Sequence, residues 1–398
     1  MSQDSGLPKK ILVVDDDASE AQRLEKPLKS YGVEIVKATT LEQAMTAFDQ
    51  AMFDVAIVEL EFGPMPGLSL IQFWREHENF AKRQTGFIVI SGSSRGSGDE
   101  QMLKELKDLE FLTKPFSLVQ VLPYLNRALG RRQKAEIFQK FRKQIIGMTM
   151  EDGGVDKATE LIKKNIPKLG QKGLGLMIEI FRQDGRHKDA MDVVDAMLSR
   201  TPGDTAALSL KGDILKDQAK HSDALSFYEK AEKLAPQNFK RLTSMADSFL
   251  QVGDIDKTMA SMRPMVKLRS FDENFKFELF DQLSEHNHPK EAVELCRETT
   301  SAREVLRYYN NKGVNLSKEG LTYEAITEYK KALRYYPTYR ENFRILFNIA
   351  LAYVGFKNVE SYAEAENYLS QCVKLAPDFE KAQKMLVNVR RALAKKAG

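Results

Sequence analysis

Ile11-Leu12-Val13-Val14-Asp15-Asp16-Asp17 decides the first fold of this chain. Four consecutive apolar residues, three of them β-branched, are too few for a core helix and read as a strand buried on both faces. The run stops abruptly at three acids. Weaker runs follow at Val33–Val36, Val55–Val58, Phe87–Ile90 and Phe111–Leu112, with amphipathic stretches near 18–31, 41–50, 68–78, 98–108 and 117–129. Five βα units predict a doubly wound, five-stranded parallel sheet with helices on both faces. In such sheets the chemistry gathers at the carboxyl ends of the strands.

The residues at those ends form a coherent set. Strand one ends in Asp15 and Asp16, strand three in Glu59, strand four in Ser91, and strand five in Lys114-Pro115-Phe116. Clustered carboxylates suit a hard cation such as Mg²⁺, held at ~2.1 Å in an octahedral shell. A lysine and a hydroxyl then suit phosphoryl oxygens.

This order of motifs over residues 9–130 resembles the receiver domain of bacterial response regulators, which has the flavodoxin-like fold. The resemblance implies that Asp15 and Asp16 are the metal-binding acidic pair and that Glu59 stands at the phosphoacceptor place. It implies that Ser91 is the switch hydroxyl, Phe111 the switch aromatic and Lys114 the phosphoryl-contacting lysine. Gly67 matches the glycine of the loop after strand three. One departure is central: receivers carry aspartate where this chain has Glu59. The extra methylene advances the carboxylate by ~1.5 Å, and a displacement of ~1 Å can cost ~100-fold in rate. Gly63 also stands where the family usually has proline, and Asp54 sits at the far end of the strand. A degenerate, or pseudo-, receiver is expected. Its Mg²⁺ site, from Asp15, Asp16 and Glu59, is expected to be weak or lost, and no cofactor is expected to be required.

Residues 131–398 repeat. The small residue opening every second helix recurs as Ala158, Ala190, Ala224, Thr258, Ala292, Ala325 and Ala365, at gaps of 32, 34, 34, 34, 33 and 40. Leu208, Gly212, Ala224, Tyr228, Ala231 and Pro236 are echoed by Tyr309, Gly313, Ala325, Tyr329, Ala332 and Pro337. Small residues let paired helices approach, and aromatics fill the space between pairs. The period resembles the tetratricopeptide repeat and predicts an α-solenoid of seven helix-turn-helix pairs, with 378–396 as a capping helix. The resemblance implies a groove that holds a partner protein and performs no chemistry. By that analogy Lys172, Lys240, Arg307, Asn311, Arg344 and Asn348 face the groove, with solvated surface charge as the blander reading. The last receiver helix is expected to end near Leu129-Gly130.

Composition limits what else the chain can be. It has 398 residues, 42% apolar and 29% charged, with a formal charge of +4. Residues 1–130 hold 14 Lys and Arg against 19 acids, and the remainder 46 against 37, so an acidic module precedes a basic one. No apolar run approaches the ~20 residues of a membrane span, and Met1–Lys10 does not read as a secretory leader. Two cysteines, Cys296 and Cys372, cannot form a disulfide framework and read as packing residues. Arg131–Arg142 is basic and aromatic but lacks a helix-turn-helix companion, so nucleic acid is not the expected partner. His286 and His288 have no suitably spaced co-ligand and read as a loop.

The expectation is a non-enzymatic, cytoplasmic signalling adaptor of a two-component pathway. The receiver would serve docking or self-association as a homodimer. The alternative is a phosphorylatable response regulator whose receiver state controls the groove.

Overall fold

The computed structural model describes residues 7–63, 65–92, 106 and 109–397. The expected helix at 98–108 falls outside them, Leu106 excepted. The chain divides into two compact units, Met1–Leu268 and Arg269–Gly398.

The first unit opens with five parallel strands: β1 (Lys10–Val14), β2 (Glu34–Ala38), β3 (Val55–Glu59), β4 (Gly86–Ser91) and β5 (Leu109–Thr113). Their order is β2-β1-β3-β4-β5. The order reverses at β1, so a crevice opens between the carboxyl ends of β1 and β3. Alternation sorts the strand residues onto two faces. Ile11, Val13, Val55, Ile57, Ile88 and Ile90 pack with Leu24, Leu28, Val121 and Leu125. Those helical residues come from α1 (Ala18–Lys29) and α5 (Leu118–Thr149). Another aromatic stack joins α2 (Leu41–Gln50) to α3 (Gly67–Arg75). Phe48 lies 4.2 Å from Trp74, and Trp74 lies 6.3 Å from Phe87. Trp74 is fully buried. A short α4 (Phe80–Arg83) precedes β4.

The break expected at Leu129-Gly130 is absent. Helix α5 runs unbroken from Leu118 to Thr149, with Gly130 in its interior. Ser117 caps it through a capping box with Gln120. Val121, Leu125 and Ala128 belong to the sheet's core, and Ile145 belongs to the next core, with Ala158, Ile162 and Ile178. One helix thus serves two hydrophobic cores. Arginines fasten it to the sheet. Arg131 donates to the Leu109 carbonyl at 2.7 Å and pairs with Glu110 at 2.9 Å. Arg132 pairs with Asp54 and donates to the Phe53 carbonyl at 3.2 Å.

Helical hairpins follow. In the first unit α5 pairs with α6 (Gly154–Leu169), α7 (Gln171–Gln183) with α8 (His187–Arg200), α9 (Thr205–Asp217) with α10 (His221–Leu234), and α11 (Phe239–Val252) with α12 (Ile255–Leu268). The second unit pairs α13 (Glu273–Glu285) with α14 (Pro289–Thr299), α15 (Ala302–Lys318) with α16 (Thr322–Tyr335), and α17 (Phe343–Gly355) with α18 (Val359–Leu375). Helix α19 (Glu380–Ala397) packs on α18. All seven recurring small residues fall near the start of a second helix and are 0% exposed. About half of the extra length in the 40-residue gap is local to α18, which is 17 residues long and places Ala365 about one turn later than its equivalents. Cys296 and Cys372 are buried among apolar neighbours, and burial pushes their thiols up to about 12 and about 11.

Gly212 shows why the repeat needs a residue without a side chain. A Cβ there would lie 2.5 Å from the ring of Tyr228. That ring cannot withdraw: it is 0% exposed, and its hydroxyl donates to Asp213 at 2.7 Å. Gly212→Ala gains ~1 kcal/mol of helix propensity but loses ~1–3 kcal/mol to overpacking. Urea denaturation should therefore show net destabilisation. Gly203→Ala, whose Cβ meets open space, should change stability by less than ~0.5 kcal/mol.

Candidate functional site

Strand register builds the site. Val14 lies opposite Val58, so the next residues, Asp15 and Glu59, emerge side by side at the carboxyl edge. Ser91 ends β4 opposite Thr113, which places Lys114 one residue beyond. The Lys114 amide donates to the Ser91 carbonyl at 2.8 Å, and its side chain reaches back toward β3 and β1. The ammonium donates to Glu59 Oε1 at 2.7 Å and lies 2.7 Å from Asp15 Oδ2.

The three acids that end β1 have different roles. Asp15 is 1% exposed and accepts from the Asp17 amide at 2.9 Å. Asp16 is exposed. Asp17 is the N-cap of α1, accepting from the Ser19 amide at 2.8 Å, and that hydrogen bond holds its carboxyl below the usual range. Asp15, Asp16 and Glu59 each offer an oxygen within 4.8 Å of the others, the only such group among the described residues.

The donor set fits a hard divalent cation. All three candidate ligands are carboxylates, and the second oxygen of Glu59 is buried without a hydrogen-bond donor. Asp15, Asp16 and Glu59 would hold Mg²⁺, which when bound neutralises charge on a phosphoryl group and on the acids themselves. Without it the cluster has one ammonium for three carboxylates. Burial, followed by the neighbouring Asp15, pushes Glu59 up to about 7 from an ordinary value near 4.5. Lys114 is held above its ordinary value: burial opposes its charge, but Asp15 and Glu59 outweigh that cost.

A pH dependence follows. The folded chain binds the Glu59 proton more tightly than the unfolded chain does. That contribution to stability is full below about 4.5 and is lost as pH rises through about 7. In a chelator, wild type should lose on the order of 1–2 kcal/mol between pH 5 and 8 relative to Glu59→Gln. Calorimetric melts of both proteins at the two pH values check this; parallel pH profiles would contradict it.

The loop after β3 is fixed by Gly67. A Cβ there would lie 2.0 Å from the Glu59 carbonyl oxygen, and the Gly67 amide donates to the Leu60 carbonyl at 2.8 Å. Ser91 is 2% exposed and Phe111 is half-buried on β5 opposite Val89. Asp54 lies at the opposite edge, accepting from the Lys9 amide at 2.7 Å and the Lys10 amide at 3.1 Å. Its pairing with Arg132 was not legible in the sequence, because the two are 78 residues apart.

Residues 11–126 match the family model described as the response regulator receiver domain. Residues 141–362 match the model described as ChAPs (Chs5p-Arf1p-binding proteins), and this match spans more than half of the chain. The chain belongs to the ChAPs family. In front of its ChAPs region it carries the receiver domain of two-component signalling. Neither family is an enzymatic one. The regulatory protein VirG of Agrobacterium tumefaciens is 27% identical over 124 residues, covering 31% of this chain and 45% of that protein. VanR of Enterococcus faecium is 25% identical over 130 residues, covering 31% and 52%. The chain spans about half the length of these curated relatives. Among solved structures, the chemotaxis response regulator CheY4 of Vibrio cholerae is 26% identical, covering 30% of this chain and 98% of that one, with a TM-score of 0.27.

In the ChAPs region the expected groove residues mostly have partners. Lys172 lies 6.0 Å from the centre of the Phe138 ring, and Lys240 is 3.8 Å from Asp213. In the second unit Arg307 pairs with Glu273, Asn311 is exposed on the same helix, and Arg344 is exposed beside the Phe343 ring. Asn348 donates to Asn310 at 2.7 Å. Sequence reading missed the polar cluster beside them. Lys331 is 2.7 Å from Asp281 and 3.1 Å from Glu328, and the Tyr309 hydroxyl donates to Asp281 at 3.1 Å. Among the described residues no helix is long and apolar enough to cross a membrane.

Proposed function

We propose that this chain is a non-enzymatic adaptor of a two-component-type pathway, built from a pseudo-receiver and a partner-binding helical array. One observation carries the reading: Glu59 occupies the end of β3 and holds Lys114 at 2.7 Å. In a working receiver that lysine must be available to the incoming phosphoryl group. Here a longer carboxylate side chain fills the place and already engages it. The proton affinity of Glu59, near neutrality, makes it a poor permanent imitation of a phosphorylated aspartate. An inert pocket held in one state fits better.

The helical hairpins supply the binding function. The ChAPs description names binding proteins, and stacked hairpins of tetratricopeptide-like period offer a surface for a partner protein. A cytoplasmic location and a receiver-mediated homodimer go with this reading. The test exposes the full chain to acetyl phosphate or beryllofluoride with Mg²⁺. Intact mass should not change, and the amide spectrum around Ser91 and Phe111 should stay in place. A phosphoryl adduct on Glu59 would overturn the adaptor reading in favour of a phosphorylatable regulator.

A further inference from the structure

In the second unit a groove of about 490 Å³ is lined mainly by α17 and α19. The helical period builds its walls. On α17, Phe347, Leu351 and Val354 stand at i, i+4 and i+7, an apolar stripe two turns long. Phe347 and Val354 line the groove, and Leu351, on the same face between them, is 48% exposed. On α19, Lys381, Met385, Asn388 and Ala392 share one face by the same spacing and line the groove, with Lys384 beside them. Seven residues of helix rise ~10 Å, so each apolar wall runs about that far.

Charge is lopsided on these two helices. Helix α19 holds six Lys and Arg against one acid, Glu380, and α17 holds Arg344 and no acid. No carboxylate lines the groove. Lys381 is exposed and has no ionic partner among the described residues. Lys384 meets Glu380 at 3.1 Å, but both side chains are exposed, and such surface pairs are weak. On the neighbouring α18, Glu366 is taken by Arg390 at 2.7 Å. Solvation alone accounts for cations on a basic helix. It does not account for a half-exposed leucine in the middle of an apolar stripe beside unneutralised charge. Contiguous apolar surface rimmed by polar groups marks an interaction site.

We propose that this groove docks an acidic peptide segment of a partner protein. Apolar residues of the segment seat against Phe347, Leu351 and Met385, and its carboxylates meet Lys381 and Lys384. Apolar contact supplies affinity, and complementary charge selects which segments enter. The inference rests on the partner-binding reading of the hairpins and gives that partner a chemistry. It shares no residue with the receiver pocket, so it stands or falls separately from the acetyl phosphate result.

The test titrates the full chain into a fluorescein-labelled, glutamate-rich peptide carrying two leucines two helical turns apart, followed by anisotropy. Saturable binding is expected, weakening as salt rises. Lys381→Glu with Lys384→Glu should weaken it at least tenfold while the melting temperature holds, because both side chains are exposed. Leu351→Gln should weaken it too, and serves as the second variant should the charge reversals fail to fold. The same peptide with serine for leucine, or lysine for glutamate, should not saturate. Lys290→Glu, a charge reversal at an exposed position of α14, should leave affinity unchanged. Absence of saturable binding, or unchanged affinity in the groove variants, would overturn the site. Equal weakening by Lys290→Glu would reduce the effect to general attraction and overturn it as well. If the peptide does not bind but phosphatidylserine vesicles co-sediment with the chain through Lys381 and Lys384, the occupant is an anionic membrane and the peptide proposal falls.

Discussion

Glu59→Asp should take up a phosphoryl group from acetyl phosphate in Mg²⁺, where the native chain takes none. The remaining parts are in place. Asp15 and Asp16 still present oxygens at the edge of β1, Ser91 ends β4, and Lys114 is anchored through the Ser91 carbonyl. Shortening the side chain by one methylene withdraws the carboxylate by ~1.5 Å and loosens its hold on the Lys114 ammonium, which keeps its pairing with Asp15. Since ~1 Å of misplacement can cost ~100-fold, the gain in transfer rate should be at least of that order. Intact mass spectrometry would show an adduct of one phosphoryl group, removed by hydroxylamine. If Glu59→Asp stays unmodified, the defect moves to the loop Leu60–Gly67, where Gly63 has a φ of +44°.

The second large effect is structural. Arg132→Ala should cost ~2–4 kcal/mol in urea denaturation. The Arg132 side chain is 17% exposed and that of Asp54 25%, so breaking the pair leaves a half-buried carboxylate without its cation. It also removes the hydrogen bond to the Phe53 carbonyl. Some solvent reaches the pair, which keeps the cost below that of a fully buried one. Glu136→Ala removes the other partner of Arg132, which is 46% exposed. It should cost less than ~1 kcal/mol. Equal effects from the two variants would show that Arg132 acts through its surface pair and that α5 is not fastened through Asp54.

The strands and their terminal acids were legible because burial on both faces leaves continuous apolar runs, and because parallel topology puts function at their ends. The hairpins were legible because helix packing forces a small residue at a fixed interval, from Ala158 to Ala365. What escaped has a common physical cause. The end of α5 was misplaced because Gly130 reads as a stop signal. Its neighbours Arg131 and Arg132 actually find partners on the sheet and carry the helix onward. The Lys114–Glu59 hydrogen bond joins residues 55 positions apart, and the Lys331–Asp281 pair spans 50. Long-range polar contacts carry no period.

The unbroken α5 has a consequence in rotational phase. An α-helix advances about 100° and 1.5 Å per residue. Over its 32 residues, α5 therefore ties Val121 and Leu125, at the sheet, to Ile145, in the hairpin core, at a fixed angle and about 30–35 Å away. One residue inserted near position 130 would turn Ile145 about 100° out of its core while the sheet kept its own grip. Flexible linkers absorb insertions, but a shared helix transmits them. The sheet and the first hairpin core are geared to each other, and tolerated length changes in this region should come in sets of seven residues, close to two whole turns.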